Sequence, residues 1–208
     1  MMRHVFTLWA MFALAGTAHA QPAADRALDR AIAHFQAGRI AESVAEFDNV
    51  AKLAPGDAPQ LWQRGIALYY AGRYRDCRAQ FESHRTVNPD DVENAAWHFL
   101  CVARAESVER ARAALLPVGP DSRVPMREVY EMFKGAVGPE KVLAAGGGSP
   151  SAEFYAHLYV GLYFEAIGRK ADALAHIKAA ATDGYAAVGG YMNGVARVHL
   201  GILQRGGG

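Results

Sequence analysis

Residues 58–91 read APQLWQRGIALYYAGRYRDCRAQFESHRTVNPDD, and residues 24–57 read ADRALDRAIAHFQAGRIAESVAEFDNVAKLAPGD. Laid over each other without a gap, Phe35 falls on Tyr69, Gly38 on Gly72, Arg39 on Arg73 and Ile40 on Tyr74, each pair 34 residues apart. Ser43 falls on Cys77, Phe47 on Phe81 and Pro55 on Pro89 in the same register. A fixed period of this size marks a stacked-repeat architecture, in which each unit buries its apolar face against its neighbours. Each unit reads as two amphipathic helices joined by a tight turn. Phe47, Val50 and Leu53 recur at helical spacing on the second helix, as do Phe81 and His84 one unit later. Gly38 and Gly72 end the first helix, because glycine adopts the left-handed conformation of a helix C-terminus at no steric cost. Pro55 and Pro89 stop the second. Asp57 and Asp90, each three residues ahead of Gln60 or Glu93, predict the starts of the helices that follow.

These positions resemble the tetratricopeptide repeat, a 34-residue helix–turn–helix unit. Gly65, Ser43 and Cys77 stand at its small positions, Phe47 and Phe81 at its aromatic position, and the two prolines close it. A third unit over 92–125 keeps the frame but degenerates. Trp97, Leu100 and Cys101 give a good first helix, Ala111 and Leu115 fill the next, and Pro117, Gly119 and Pro120 cut it short. Short helices are expected from Pro125 to Phe133 and from Pro139 to Ala145, followed by a flexible joint at Gly146-Gly147-Gly148-Ser149-Pro150. The pattern returns over 154–187, with Gly161 at the small position and Gly168 ending the first helix. A last helix from Tyr185 to Gln204 is expected to cap the array, its residues 188–204 closing the final repeat. The resemblance therefore implies an all-α fold: tetratricopeptide-repeat hairpins in a right-handed superhelical stack, with an irregular middle over 126–150 and a C-terminal capping helix.

Early repeats, an irregular middle and the closing run Phe154-Tyr155, Tyr159, Gly161, Tyr163-Phe164, Gly168, Ala173-Leu174 are also similar to the NlpI-like periplasmic repeat proteins. That likeness implies an adaptor that brings proteases and cell-wall hydrolases together. The chain departs from those proteins in lacking a lipid-modified cysteine near its start.

The first twenty residues have the layout of a secretory signal peptide. Met1-Met2-Arg3-His4 is a short basic start, Val5 to Ala15 is free of charge, and Ala18-His19-Ala20 offers small residues for cleavage ahead of Gln21. A product starting near Gln21, periplasmic or secreted, is expected, with no further segment that crosses a membrane. Lys plus Arg total 22 and Asp plus Glu 21, so no basic excess points to nucleic acid. Cys77 and Cys101 are too few for a disulfide scaffold. Export makes one bridge chemically possible, while their place on apolar helix faces equally suits two small buried thiols.

The repeat resemblance implies binding on the face built from the first helix of each unit. Carried onto this sequence, that face offers Trp62, Ile66, Tyr69 and Tyr70, then Leu100 and Arg104, then Tyr155 and Leu162. Its apolar and aromatic character suits a protein or peptide segment, or a second copy of the chain. No cofactor, metal or catalytic group is expected. His98 and Cys101 share a helix face, yet two ligands do not make a metal site. A hydrolase or redox enzyme using Cys101 and His98 is the alternative reading from another class, although a mid-helix thiol among apolar neighbours is a poor nucleophile. Tyr155, Tyr159 and Tyr163, spaced by four, read as a packing stripe.

Overall fold

The Gly-Arg pairs at 38–39, 72–73 and 168–169 close three helices in the same way in the computed structural model, which describes residues 13–205, with side chains from residue 21 onward. Each glycine sits in the left-handed region, at φ 71°, 73° and 82°. Its N–H donates to the carbonyl three residues back, at Phe35, Tyr69 or Glu165, over 2.8, 3.1 and 3.0 Å. The arginine N–H reaches five back, to His34, Leu68 or Phe164, over 2.9, 3.0 and 2.8 Å. These two bonds take up carbonyls that the last helical turn leaves open, so the chain reverses after about two residues.

Among the described residues the only regular elements are helices, without strands. Helices α1 (Ala13–Gln36) and α2 (Ile40–Leu53) pair, as do α3 (Trp62–Tyr70) and α4 (Tyr74–His84). Helix α5 (Val92–Ala105) is followed by the stub α6 (Val108–Ala113), then α7 (Met126–Lys134) and α8 (Pro139–Gly146). Helices α9 (Pro150–Ala166) and α10 (Lys170–Ala180) form another pair, and α11 (Ala186–Gly189) and α12 (Tyr191–Arg205) end the chain. Close helix crossings sit where small residues were expected. A methyl group on Gly65 would stand 2.7 Å from the Phe81 ring, and one on Gly161 would stand 2.7 Å from Cγ1 of Ile177. One apolar core runs from α1 to α12 and fully buries Phe35, Phe47, Phe81, Trp97 and Phe133, each worth roughly 2–3 kcal/mol.

Several expectations change. Asp57 does not cap the helix after it: residues Pro55–Gln60 form a 3₁₀ turn, and α3 starts at Trp62 with no side-chain cap. In the next unit the cap of α5 is Asp91 and not the expected Asp90: its side chain accepts the Glu93 N–H at 3.0 Å. The glycine run is a tight turn and not a joint, because Gly146 packs beneath Ala156 and Ser149 caps α9 by accepting the Ala152 N–H at 3.2 Å. The last helix is broken at Gly190, where φ is 50°.

The broken stretch that begins at Pro117 and runs on into the irregular middle is tied down. Pro117 O accepts from Arg85 Nε at 3.0 Å, Gly119 N–H donates to Pro89 O at 3.2 Å, and Asp121 accepts the Val92 N–H at 3.2 Å. Phe133 then packs edge-on to Phe99, with ring centroids 5.0 Å apart, and fixes α7 between α5 and α9. Cys77 of α4 and Cys101 of α5 are joined as a disulfide, their Cα atoms 5.9 Å apart.

No helix among the described residues is long and apolar enough to cross a membrane. Residues 1–12, which carry most of the expected export signal, lie outside the described residues, and the expected cleavage point after Ala20 falls within α1.

Candidate binding cleft

A cleft of about 320 Å³ opens where the first turns of α3, α5 and α12 meet the segment ahead of α7. Three residues of α5 lie along it: Glu93, Asn94 and Trp97, which a helical repeat of 3.6 puts on one face. Trp62 opens α3 and Tyr191 opens α12, and the two rings meet edge-on at 5.2 Å. Tyr155 of α9, Met192 of α12 and Phe81 of α4 complete the apolar wall.

Arg123 stands at the rim among three carboxylates. Its Nη1 donates to Glu93 at 2.6 Å, its Nη2 to Asp91 at 2.5 Å and Asp121 at 2.6 Å, and its Nε to Asp121 at 3.0 Å. Glu93 also accepts from Tyr159 Oη at 2.5 Å. Burial first, and Asp91 second, push the Glu93 carboxyl above its ordinary value against the pull of Tyr159 and Arg123. Burial works on Asp121 in the same upward sense, but Arg123 and two backbone N–H groups hold that carboxyl below its ordinary value. Burial, and then the charge on Glu93, raise the Tyr155 hydroxyl to about 12. One guanidinium against three carboxylates leaves the rim acidic.

Asn94 and Trp97 are almost wholly buried, and Oδ1 of the first and Nε1 of the second have no hydrogen-bond partner among the described residues. Each orphan costs about 1–3 kcal/mol when buried. The two stand on adjacent turns of α5, and a third, Tyr191 Oη of α12, is likewise buried and unpartnered among the described residues; all three belong to side chains that line the cleft, although the atoms themselves are shielded from solvent.

Of the eight residues expected to line a groove, only Trp62 and Tyr155 reach this cleft. Ile66, Leu100 and Leu162 are fully buried, and Tyr69 nearly so. The reading of them as an open binding face is corrected: α12 lies across the first helices and covers it. Tyr191 stacks on Phe35 with centroids 5.5 Å apart, and Tyr70 Oη lies 3.0 Å from His199 Nδ1. Burial drives this covering, since an apolar face of that size exposed to water is unstable. Tyr69 Oη donates to Glu165 at 3.4 Å, and Arg104 lies over the Tyr74 ring at 5.7 Å from its centroid. Arg104 thus closes the outer edge of a buried Tyr69–Glu165–His199–Tyr70 group.

The alternative chemistry has less to stand on. Cys101 is bonded to Cys77, which removes the free thiol that a Cys101–His98 hydrolase needs. His98 is buried, with Nε2 3.4 Å from Glu82. Among the described residues no group of three His, Cys, Asp or Glu is placed to hold a metal ion. Asp91, Glu93, Asn94, Arg123, Tyr191 and Met192 are among the cleft residues that the sequence did not reveal. Asp90-Asp91-Val92-Glu93 carries a capping signal that masks a second role, and Arg123 sits in a stretch without periodicity. The polar Glu93-Asn94 pair one turn ahead of Trp97 is the signal in the sequence that went unread. No protein-family model matches the chain, and no curated protein matches it.

Proposed function

We propose that this chain is an exported, non-catalytic adaptor of the tetratricopeptide kind, which holds a protein partner at the cleft between α3, α5, α9 and α12. The observation that carries the reading is the cleft itself, with aromatic walls and three buried polar atoms, on Asn94, Trp97 and Tyr191, left unpaired on its lining side chains. Its residues come from separate helices and from the irregular middle, so only the assembled stack builds it. Export is supported by the layout of the first twenty residues and by the Cys77–Cys101 bridge, a bond typical of oxidising compartments. The volume is at the small end of the ~300–1,000 Å³ range of small-ligand sites, which favours one anchoring group of the partner over a whole docked helix.

Trp62→Ala combined with Tyr155→Ala tests this reading, since both side chains are only half-buried. The double variant is expected to keep its helical circular dichroism and cooperative melting while losing a partner captured by the unaltered protein from periplasmic extract. Retention of the same proteins by both forms would sink the proposal.

A further inference from the structure

The last helical hairpin carries a pair of imidazoles that the cleft does not use. His157 of α9 and His176 of α10 face each other with their Nδ1 atoms 2.9 Å apart, and both residues are partly exposed. The rings meet almost end to end, their centroids 5.1 Å apart, so one ring donates an N–H to the bare nitrogen of the other. Phe164 lies beside the His176 ring, with centroids 5.6 Å apart and 32° between the planes. Burial first, and His157 second, hold the His176 imidazole below its ordinary value against the pull of Asp172. That ring is therefore neutral at neutral pH, the form that ligates metal. Glu153 and Asp172 each stand four residues ahead of one histidine, which puts a carboxylate one turn along the same face of each helix. Tyr155, which lines the cleft, is two residues from His157 and about 200° away round α9, so the pair is separate from the cleft.

The separation of the two nitrogens selects an ion. Metal–imidazole bonds of about 2.0–2.1 Å at ~90° to each other hold their nitrogens about 2.9 Å apart, whereas a tetrahedral ion spreads them to about 3.3 Å. The distance between His157 and His176 is the first of these. Adjacent imidazoles at a right angle suit the tetragonal geometry of copper(II), which also heads the affinity order of the divalent first-row metals. To share an ion in place of a proton, each ring tilts about its Cβ–Cγ bond, a broad torsion, until both lone pairs point to one place. Two side chains suffice for an exchangeable ion when they are already placed, and the packing of α9 on α10 sets these two nitrogen to nitrogen.

We propose that His157 and His176 form a copper(II) site, in which the two Nδ1 atoms take adjacent positions of a tetragonal ion and water takes the rest. The carboxylates of Glu153 and Asp172 add negative charge beside it, although Asp172 is shared with Arg169 at 2.8 Å. The site goes beyond the adaptor reading and does not depend on it, since no residue of the pair lines the cleft.

The test is calorimetric titration of the purified protein, free of any polyhistidine tag, with copper(II) and separately with zinc(II) in a weakly coordinating buffer. Copper is expected to bind at one tight equivalent, at least tenfold more tightly than zinc. His157→Asn and His176→Asn are each expected to weaken that equivalent at least tenfold. The double variant is expected to lose little more than either single one, because both rings hold the same ion. Pulsed electron paramagnetic resonance of the unaltered protein with one equivalent of copper should show two coordinated imidazole nitrogens, a readout that does not depend on any variant folding. Equal copper affinity in the unaltered protein and the single variants assigns the metal to other surface groups and overturns the site. A spectrum with fewer than two imidazole nitrogens overturns it as well. Zinc binding as tightly as copper overturns the tetragonal copper assignment.

Discussion

At Gly65 a methyl group would stand 2.7 Å from the ring of Phe81, which is itself fully buried. Gly65→Ala is accordingly expected to destabilise the fold by roughly 1–3 kcal/mol, read from the midpoint of urea unfolding, although alanine favours helix over glycine. His199 gives a second residue-scale expectation. Burial first, and Arg104 second, lower its imidazole to about 4, while in the unfolded chain it titrates near 6.5. Between those values the unfolded chain binds the extra proton. The stability tied to this residue is therefore complete above pH ~6.5 and is lost as pH falls toward 4, amounting to roughly 2 kcal/mol between pH 7 and 5. Glu165 faces His199 across 3.4 Å, and burial raises its carboxyl, so it opposes the loss over the lower part of that window. His199→Gln should flatten the acid limb of a stability-against-pH curve. A curve with the same slope in both proteins assigns the pH dependence elsewhere.

Between elements, the disulfide is the covalent link that joins two neighbouring hairpin units, α4 to α5 across 24 residues. Closing a loop of that size in the unfolded chain is worth about 3 kcal/mol, so reduction should lower unfolding free energy by that order without changing helical content. Mass spectrometry under alkylation, before and after reductant, checks the bond itself. Much of the helix order was legible because glycine turns and apolar spacing act within a few residues of each other. Gly38, Gly72 and Gly168 each end a helix where the sequence puts them. The failures share a cause: Asp57 loses its capping role to a 3₁₀ turn begun by Pro55, and Gly146 is held by Ala156, a partner that packing supplies.

For the whole molecule, the covering of the first-helix face by α12 removes the surface that self-association would use. The large apolar side chains left exposed among the described residues are four, Val87, Val124, Leu174 and Val188, in four separate segments of the chain. Light scattering at high concentration is expected to return a monomer, and a dimer mass would show that a polar surface does the pairing. The same closure explains how the site was only partly read. Trp62 and Tyr155 were accessible to a pattern argument because the repeat register places them on the first-helix face. Tyr69, Tyr70, Leu100 and Leu162 share that register, yet Tyr70 meets His199 of α12 and the other three are buried.

By itself the sequence determined the 34-residue register, the glycine turns, the helical class and the buried aromatic positions, because periodicity and local capping are short-range properties. The tertiary structure alone decided what covers what. It brought Arg123 from an aperiodic loop to Asp91 and Glu93, laid Tyr191 against Trp62, joined Cys77 to Cys101, and left Asn94 and Trp97 unpaired beside an open cleft. Those outcomes depend on contacts between segments far apart in the chain, and the physical reason is burial: the apolar face that the repeats create is covered by whichever later helix can reach it, and the cleft is the part left uncovered.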